Sequence, residues 1–255
     1  MRRREKFVIS AVLLSIGLLG VQHIALDFRY WAAALFTVIT YAVSSWALSD
    51  DLQRYERFTV VPLPALFALA VSLFYFLLPE TLLSQVLLFI FFGVGVYGIF
   101  LTANIFSVAK GRSIQLLHAA HAVGLLFNLF ISLLLTNTVY SLRLPFYYTG
   151  ALVGLIHFPL IFMSLWSVKL EQEIQKEIVR YTILLTLLLI ELSVIISFLP
   201  LSVWYNALFI MSLLYLGLGV LHSFLRGRLF QKALTEYALV AVFIVILFIS
   251  IFPLK

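Results

Sequence analysis

Cysteine is absent from this chain of 255 residues. That excludes disulfides, thiolate metal sites, cysteine nucleophiles and dithiol redox chemistry. Charge is scarce too: Asp, Glu, Lys and Arg make up 11% of the residues, where soluble domains carry about 25%. So little charge, spread over the whole length, leaves no room for a large soluble domain. The connecting segments are too short to hold a soluble catalytic domain. No HExxH, GxSxG or P-loop is present, and no carboxylate pair stands at metal-ligand spacing. Every lysine lies outside the centre of an apolar stretch, which argues against a retinal Schiff base. Gly93-Val94-Gly95-Val96-Tyr97-Gly98 matches GxGxxG letter for letter. It lies within an apolar run, with no preceding strand and no βαβ unit, so it reads as a close-packing helix face and not a nucleotide site. Net charge is +6, but the basic residues sit in short segments beside apolar ones. That is a membrane-topology pattern, and no nucleic-acid partner is expected.

What the chain has in abundance is hydrophobic residues, 64% of the total, with 24 Phe. A membrane span needs about 20 mostly apolar residues. Nine windows qualify: 7–26, 30–48, 60–78, 83–108, 114–136, 146–168, 181–199, 203–223 and 236–253. The expected fold is therefore all-α, a polytopic transmembrane helix bundle forming one integral membrane domain over 1–255. With the N-terminus cytoplasmic and the C-terminus outside, the inner segments carry Arg2, Arg3, Arg4, Lys6, Arg54, Arg57, Lys110, Arg112, Lys169, Lys176, Arg180, Arg226, Arg228 and Lys232. That is 14 of the 17 basic residues, as the positive-inside rule requires. Trp31 and Trp204 fall near the outer interface, Trp46 and Trp166 near the inner one. Residues 1–26 resemble a signal peptide at first sight, but the apolar stretch is too long and no small-x-small cleavage site follows, so it reads as an uncleaved first span. The segment 169–180 has a helical pattern, with Leu170, Ile174 and Ile178 every four residues and a Lys169–Glu173 pair. It is expected to extend the next span into the cytoplasm.

Polar residues inside such spans must face protein or water. The fifth window carries a row of them: Gln115, His118, His121, Asn128, Ser132 and Thr136. At about 100° per residue the last five share a sector of roughly 80°. His118 and His121 lie one turn apart near the inner end. With His222 at a similar depth on the eighth window, and Asn104 at the inner end of the fourth, they can relay protons or hold a metal or haem edge. They can equally be hydrogen-bonding glue between helices. His157, central in its window and followed by Pro159, and Glu191 lie deeper. A charge at a helix centre costs about 2.5–3.5 kcal/mol on insertion scales, so Glu191 either carries a proton or has a partner. A Glu191–His157 pair on consecutive helices is a plausible proton-coupling element, but Glu191 points away from Thr182, Thr186, Ser193 and Ser197 on its own helix, so either that helix has two protein-facing sides or Glu191 meets a second subunit or lipid as a neutral acid. Tyr205, Ser212, Tyr215, Gly219 and His222 share a face on the eighth window. Gly150 and Gly154 form a GxxxG packing motif beside His157 and Ser164. Thr37, Thr40, Tyr41 and Ser44 line the second window. These faces either enclose a hydrated cavity or form small-residue packing seams.

The Phe-rich spans, the short loops and the stretches 63–79 and 93–111 resemble uncharacterised multi-pass membrane proteins of bacteria. The resemblance implies a bacterial inner membrane and says nothing of activity. Three functions fit the residues. One is a small-solute or proton-coupled transporter-like bundle with His118, His121, Asn104, Asn128, His157, Glu191, Tyr215 and His222 in its polar interior. The second is a structural or accessory membrane protein without catalytic activity. The third is an intramembrane histidine-based enzyme or haem protein. No motif argues for an enzyme, and no cofactor or metal is called for. The expected partners are the lipid bilayer, a small solute or proton, and further subunits.

Overall fold

The computed structural model describes residues 3–50, 53, 56–79, 81–109, 116–171, 173–227 and 230–251. Gln115 and the basic residues Arg2, Arg54, Lys110, Arg112, Arg228 and Lys255 lie outside the described residues, and the side chain of Lys232 is likewise not described. Among the described residues the fold is all-helical. In chain order the helices are α1 (Arg3–Gln22), α2 (Arg29–Ala47) after a short 3₁₀ turn (Leu26–Phe28), α3 (Glu56–Thr59), α4 (Pro62–Tyr75), α5 (Leu82–Val108), α6 (Leu116–Ser141), α7 (Phe146–Lys169), α8 (Lys176–Ser197), α9 (Val203–Leu225) and α10 (Gln231–Ile251).

Local chemistry sets the ends. Pro62 opens α4 at a position where its missing N–H is not needed. Thr81 caps α5, its side chain accepting from the Ser84 N–H at 3.2 Å. Gly227 turns the chain after α9 at φ +64°, a conformation that glycine adopts without strain. Leu170 ends α7 in the left-handed region at φ +51°. The expected continuous helix over 169–180 is therefore broken. Lys169 Nζ reaches across the break to Gln175 Oε1 at 2.6 Å and Glu177 Oε2 at 3.0 Å, in place of the anticipated pairing with Glu173. Residues 176–180 do extend α8 as expected.

Among the described residues, seven helices are long and apolar enough to cross a membrane: α1, the α3–α4 stretch Glu56–Tyr75, α5, α6, α7, α8 and α9. Nine were expected. α2 has 19 residues, but Tyr30, Trp31, Thr37, Thr40, Tyr41, Ser44, Ser45 and Trp46 dilute its hydropathy. In α10 the apolar stretch is the shorter Leu234–Ser250.

The chain folds as two units, Met1–Leu135 and Thr136–Lys255, with the boundary inside α6. In the first unit α1 packs against α2, α4 and α5. Its centre is a phenylalanine cluster: fully buried Phe67 stacks on Phe92 at 5.5 Å between ring centroids, and Phe127 meets Phe67 edge-on at 5.5 Å. Gly95 of the GxGxxG run makes room for this cluster, since a Cβ there would stand 2.6 Å from the Phe67 ring. In the second unit α8 packs on α7 and α9, and α10 packs on α9.

Candidate functional site

Most hydroxyls on the polar faces are satisfied by their own helix. Ser15, Thr37, Thr40, Thr102, Thr182, Ser197 and Ser212 each donate to the carbonyl one turn back, at 2.7–2.9 Å. This bond lets a small polar side chain sit in an apolar surround without a cavity or a partner helix. The same holds for two of the histidines, whose Nδ1 atoms lie 2.7 Å from a carbonyl of the preceding turn: His121 to Leu117 and His157 to Val153.

In the first unit the polar row on α6 changes character along its length. Asn128 and Ser132 are buried, while His118 is exposed and His121 half-buried, its ring 5.3 Å from that of Phe106. The histidine end is thus the more open one. Asn104 on α5 is half-buried.

The densest polar group in this unit lies elsewhere, around the ends of α1, α2 and α5. Lys6 Nζ bonds both carboxylate oxygens of Asp50, at 2.7 and 2.8 Å, and stands 5.9 Å from the centre of the Trp46 ring. The Lys6 ammonium holds the Asp50 carboxyl below the usual carboxylate range. Glu56 is fully buried. Its Oε2 accepts the Gln53 N–H at 2.8 Å and the Ser107 hydroxyl at 3.4 Å, while Tyr41 donates to the Arg57 carbonyl at 3.1 Å. Sequence reasoning placed 49–59 in a loop and missed this carboxylate. The available signal was its position three residues after Gln53 and just ahead of the apolar run into Pro62, where an acid closes a helix-entry turn.

In the second unit His157 is completely buried. The His222 Nε2 and the Ser164 hydroxyl lie 3.0 Å apart and join α9 to α7. Tyr140, at the end of α6, donates to the Ser193 carbonyl at 3.0 Å and joins it to α8. Tyr215 is half-buried. The GxxxG motif is filled: a Cβ on Gly154 would lie 2.5 Å from Ile190 Cδ1, and one on Gly150 2.8 Å from Val194 Cγ2. Gly217 of α9 accommodates Leu185 in the same way, and Gly219 accommodates Tyr237.

Glu191 is not in the interior. It is exposed on the face of α8 opposite Thr182 and Thr186, whereas His157 is sealed in the core, so the anticipated Glu191–His157 pair does not form. The cause is helical phase: the glycine seam of α7 takes up Ile190 and Val194, which turns Glu191 outward. Among the described residues, Glu191 makes no hydrogen bond or ion pair. Among them too, no group of three or more His, Asp or Glu side chains stands close enough to hold a metal ion. Of the three inner histidines, His118 and His121 belong to the first unit and His222 to the second.

A family model matches residues 9–251, nearly the whole chain, and the chain belongs to that family, described as Protein of unknown function (DUF5656). No curated protein and no solved structure matches the chain.

Proposed function

We propose that this DUF5656 member is an integral membrane protein of nine spans, a structural or accessory subunit whose polar faces are packing seams. The N-terminus is cytoplasmic and the C-terminus outside, the whole of 1–255 is one membrane domain, and the host membrane is a bacterial inner membrane. The observation that carries the accessory reading is the filling of the polar seams. Ile190 and Val194 occupy the GxxxG groove of α7, Leu185 occupies the notch at Gly217, and hydroxyls such as those of Thr182 and Ser197 are used up on carbonyls of their own helix, although the buried hydroxyls of Ser44, Thr136 and Thr186 are not. Small residues that let helices approach, with local hydrogen bonds, are what helix association in lipid draws on.

The topology has its own support. Lys6, Asp50, Glu56 and Ser107 meet at one end of the first unit, which suits α1, α2, α4 and α5 crossing in alternation with their basic ends on one side. α2 and α10, the two helices of lower or shorter hydropathy, complete the nine. Their polar and aromatic residues are tolerable where neighbouring helices or the interface receive them.

A small-solute or proton-coupled transporter-like bundle is the second reading. What favours it is fully buried His157 on the same helix as the Ser164–His222 bond, a polar line along α7. The absence of native cysteine makes the two readings separable. Single cysteines at Asn128, Ser132, His157 and Ser164, in membranes, are treated with membrane-impermeant thiol reagents from each side. The accessory reading expects all four to stay unlabelled while cysteines at Ser49 and Thr81 label from opposite sides. Labelling of His157→Cys and Ser164→Cys from one side would mean a water-filled pathway and would replace the accessory reading with the transporter one.

A further inference from the structure

The outward face of α8 carries a pattern that the interior does not explain. Leu184, Leu188, Glu191 and Ile195 succeed one another at spacings of four, three and four, the seam of a left-handed helix pair, between Tyr181 and Phe198, whose rings meet Phe224 and Phe146 of the same chain. Leu184 is 52% exposed, Leu188 46%, Ile195 57% and Phe198 67%, and Glu191 is exposed among them. The seam borders a groove of about 470 Å³ between α8 and α9, whose walls include Leu184, Leu188, Leu213, Gly217 and Leu221. Among the seven candidate spans of the described residues, these two helices have the smallest buried share. Only 33% of the apolar window of α8 and 22% of that of α9 is buried, against 67% for Glu56–Tyr75.

Lipid can cover Leu, Ile and Phe at no cost, but it offers nothing to a carboxyl group. An ionisable residue within a span faces the bundle interior, a water-filled cavity or a partner. Among the described residues of its own unit, Glu191 faces none of these. We propose that this face docks a second copy of the chain, as a two-fold dimer with its axis along the membrane normal. The two α8 helices then run parallel, and Glu191 of each copy faces Glu191 of the other. A second copy is the occupant whose chemistry Glu191 itself supplies. Two carboxyl groups with a proton held between them are self-complementary, donor to acceptor, so a symmetric interface satisfies both without any further residue. A single polar residue in an apolar heptad seam also fixes the register of the pair. Leu184, Leu188 and Ile195 then meet their own counterparts, and the flanking groove receives the partner's side chains.

The inference rests on the membrane-spanning reading of α8, and one experiment separates the two. Single cysteines are placed at Leu184, Leu188, Ile195 and, as an off-seam control, Ile183, which is 44% exposed but about 100° round the helix. The full-length protein in its membrane is oxidised, and the disulfide-linked dimer is quantified on a gel. A disulfide needs Cα atoms within about 7 Å, so the expected result is strong dimer bands at 184, 188 and 195 and a weak one at 183. In nanodiscs or lipid-like detergent, Glu191→Leu is expected to weaken self-association about 5- to 30-fold, the range of an interhelical hydrogen bond in lipid, whereas Glu191→Gln keeps a donor and an acceptor and stays near wild type. Cross-links that are absent or independent of position, in protein that resists alkaline extraction, overturn the dimer. So does Glu191→Leu self-associating as wild type does. Protein released from the membrane by alkaline carbonate overturns the spanning reading itself.

Discussion

The packing of α7 on α8 can be tested at a single atom. In Gly154→Ala the added methyl would lie 2.5 Å from Ile190 Cδ1 and 2.9 Å from Ile190 Cγ1, with Thr186 Cγ2 next at 3.9 Å. The Cδ1 atom can rotate away, but Cγ1 cannot, because an isoleucine in a helix is held to one χ1 rotamer. The helices must therefore part by several tenths of an ångström. Overpacking of this size costs about 1–3 kcal/mol, and the better helix propensity of alanine returns about 1, so the net loss is about 0–2 kcal/mol. The sharper quantity is the coupling. Ile190→Ala removes both crowded atoms, so the pair Gly154→Ala and Ile190→Ala should be more stable than the sum of the two changes by about 1–3 kcal/mol. Gly20 on α1 is the control, since a Cβ there meets nothing within 4 Å. Gly20→Ala should not destabilise and should show no coupling to Ile190→Ala. Equilibrium unfolding in micelles, or steric trapping in bicelles, measures all of these on one scale. If Gly154→Ala is as stable as Gly20→Ala and shows no coupling to residue 190, the filled-seam account of the GxxxG motif is wrong.

Two further outcomes are expected. Ser164→Ala removes the bond to His222 Nε2 and should cost about 0.6–2 kcal/mol of unfolding free energy; a cost indistinguishable from zero would mean that the α7–α9 contact is apolar packing alone. Asp50 is held below its ordinary value of 3.8 by Lys6, so its contribution to stability is present above that pH and is lost as pH falls through the lower folded-state value. Trp46 lies beside Lys6 and can report the event: its fluorescence, isolated by difference from Trp46→Phe, should be flat from pH 8 to 5 and change with a midpoint below 3.8. Asp50→Asn should abolish that change, and a midpoint at or above 3.8 would contradict the pairing.

The seams and the exposed faces were legible in the sequence to different depths. The phase of Glu191 against Thr182, Thr186, Ser193 and Ser197 follows from its position, and the structure has those four facing away from it. Which of the two sides turned inward did not follow, because the answer lay in Gly150 and Gly154 on another helix. His118 and His121 share a face by spacing, yet that face grows more open toward the histidines, since exposure along α6 depends on where its neighbours begin and end. The burial of Glu56 was hidden because a carboxylate between Arg57 and a run of loop residues has the composition of a solvated connector. Only the return of α5, bringing Ser107 to it, makes it an interior group.

What the sequence determined by itself is the helical architecture and the position of nearly every helix. That is local physics: in an apolar medium a backbone must bond to itself, and about 20 apolar residues in succession leave it only the helix. What the tertiary structure decided is which polar residues are sealed, which are bonded across helices and which are left facing out. Periodicity fixes angles around one helix axis, whereas burial depends on the neighbour that each angle meets. His157 and Glu191, on the consecutive helices α7 and α8, differ for that reason alone: one is closed into the packing of α7 and the other is turned outward by it.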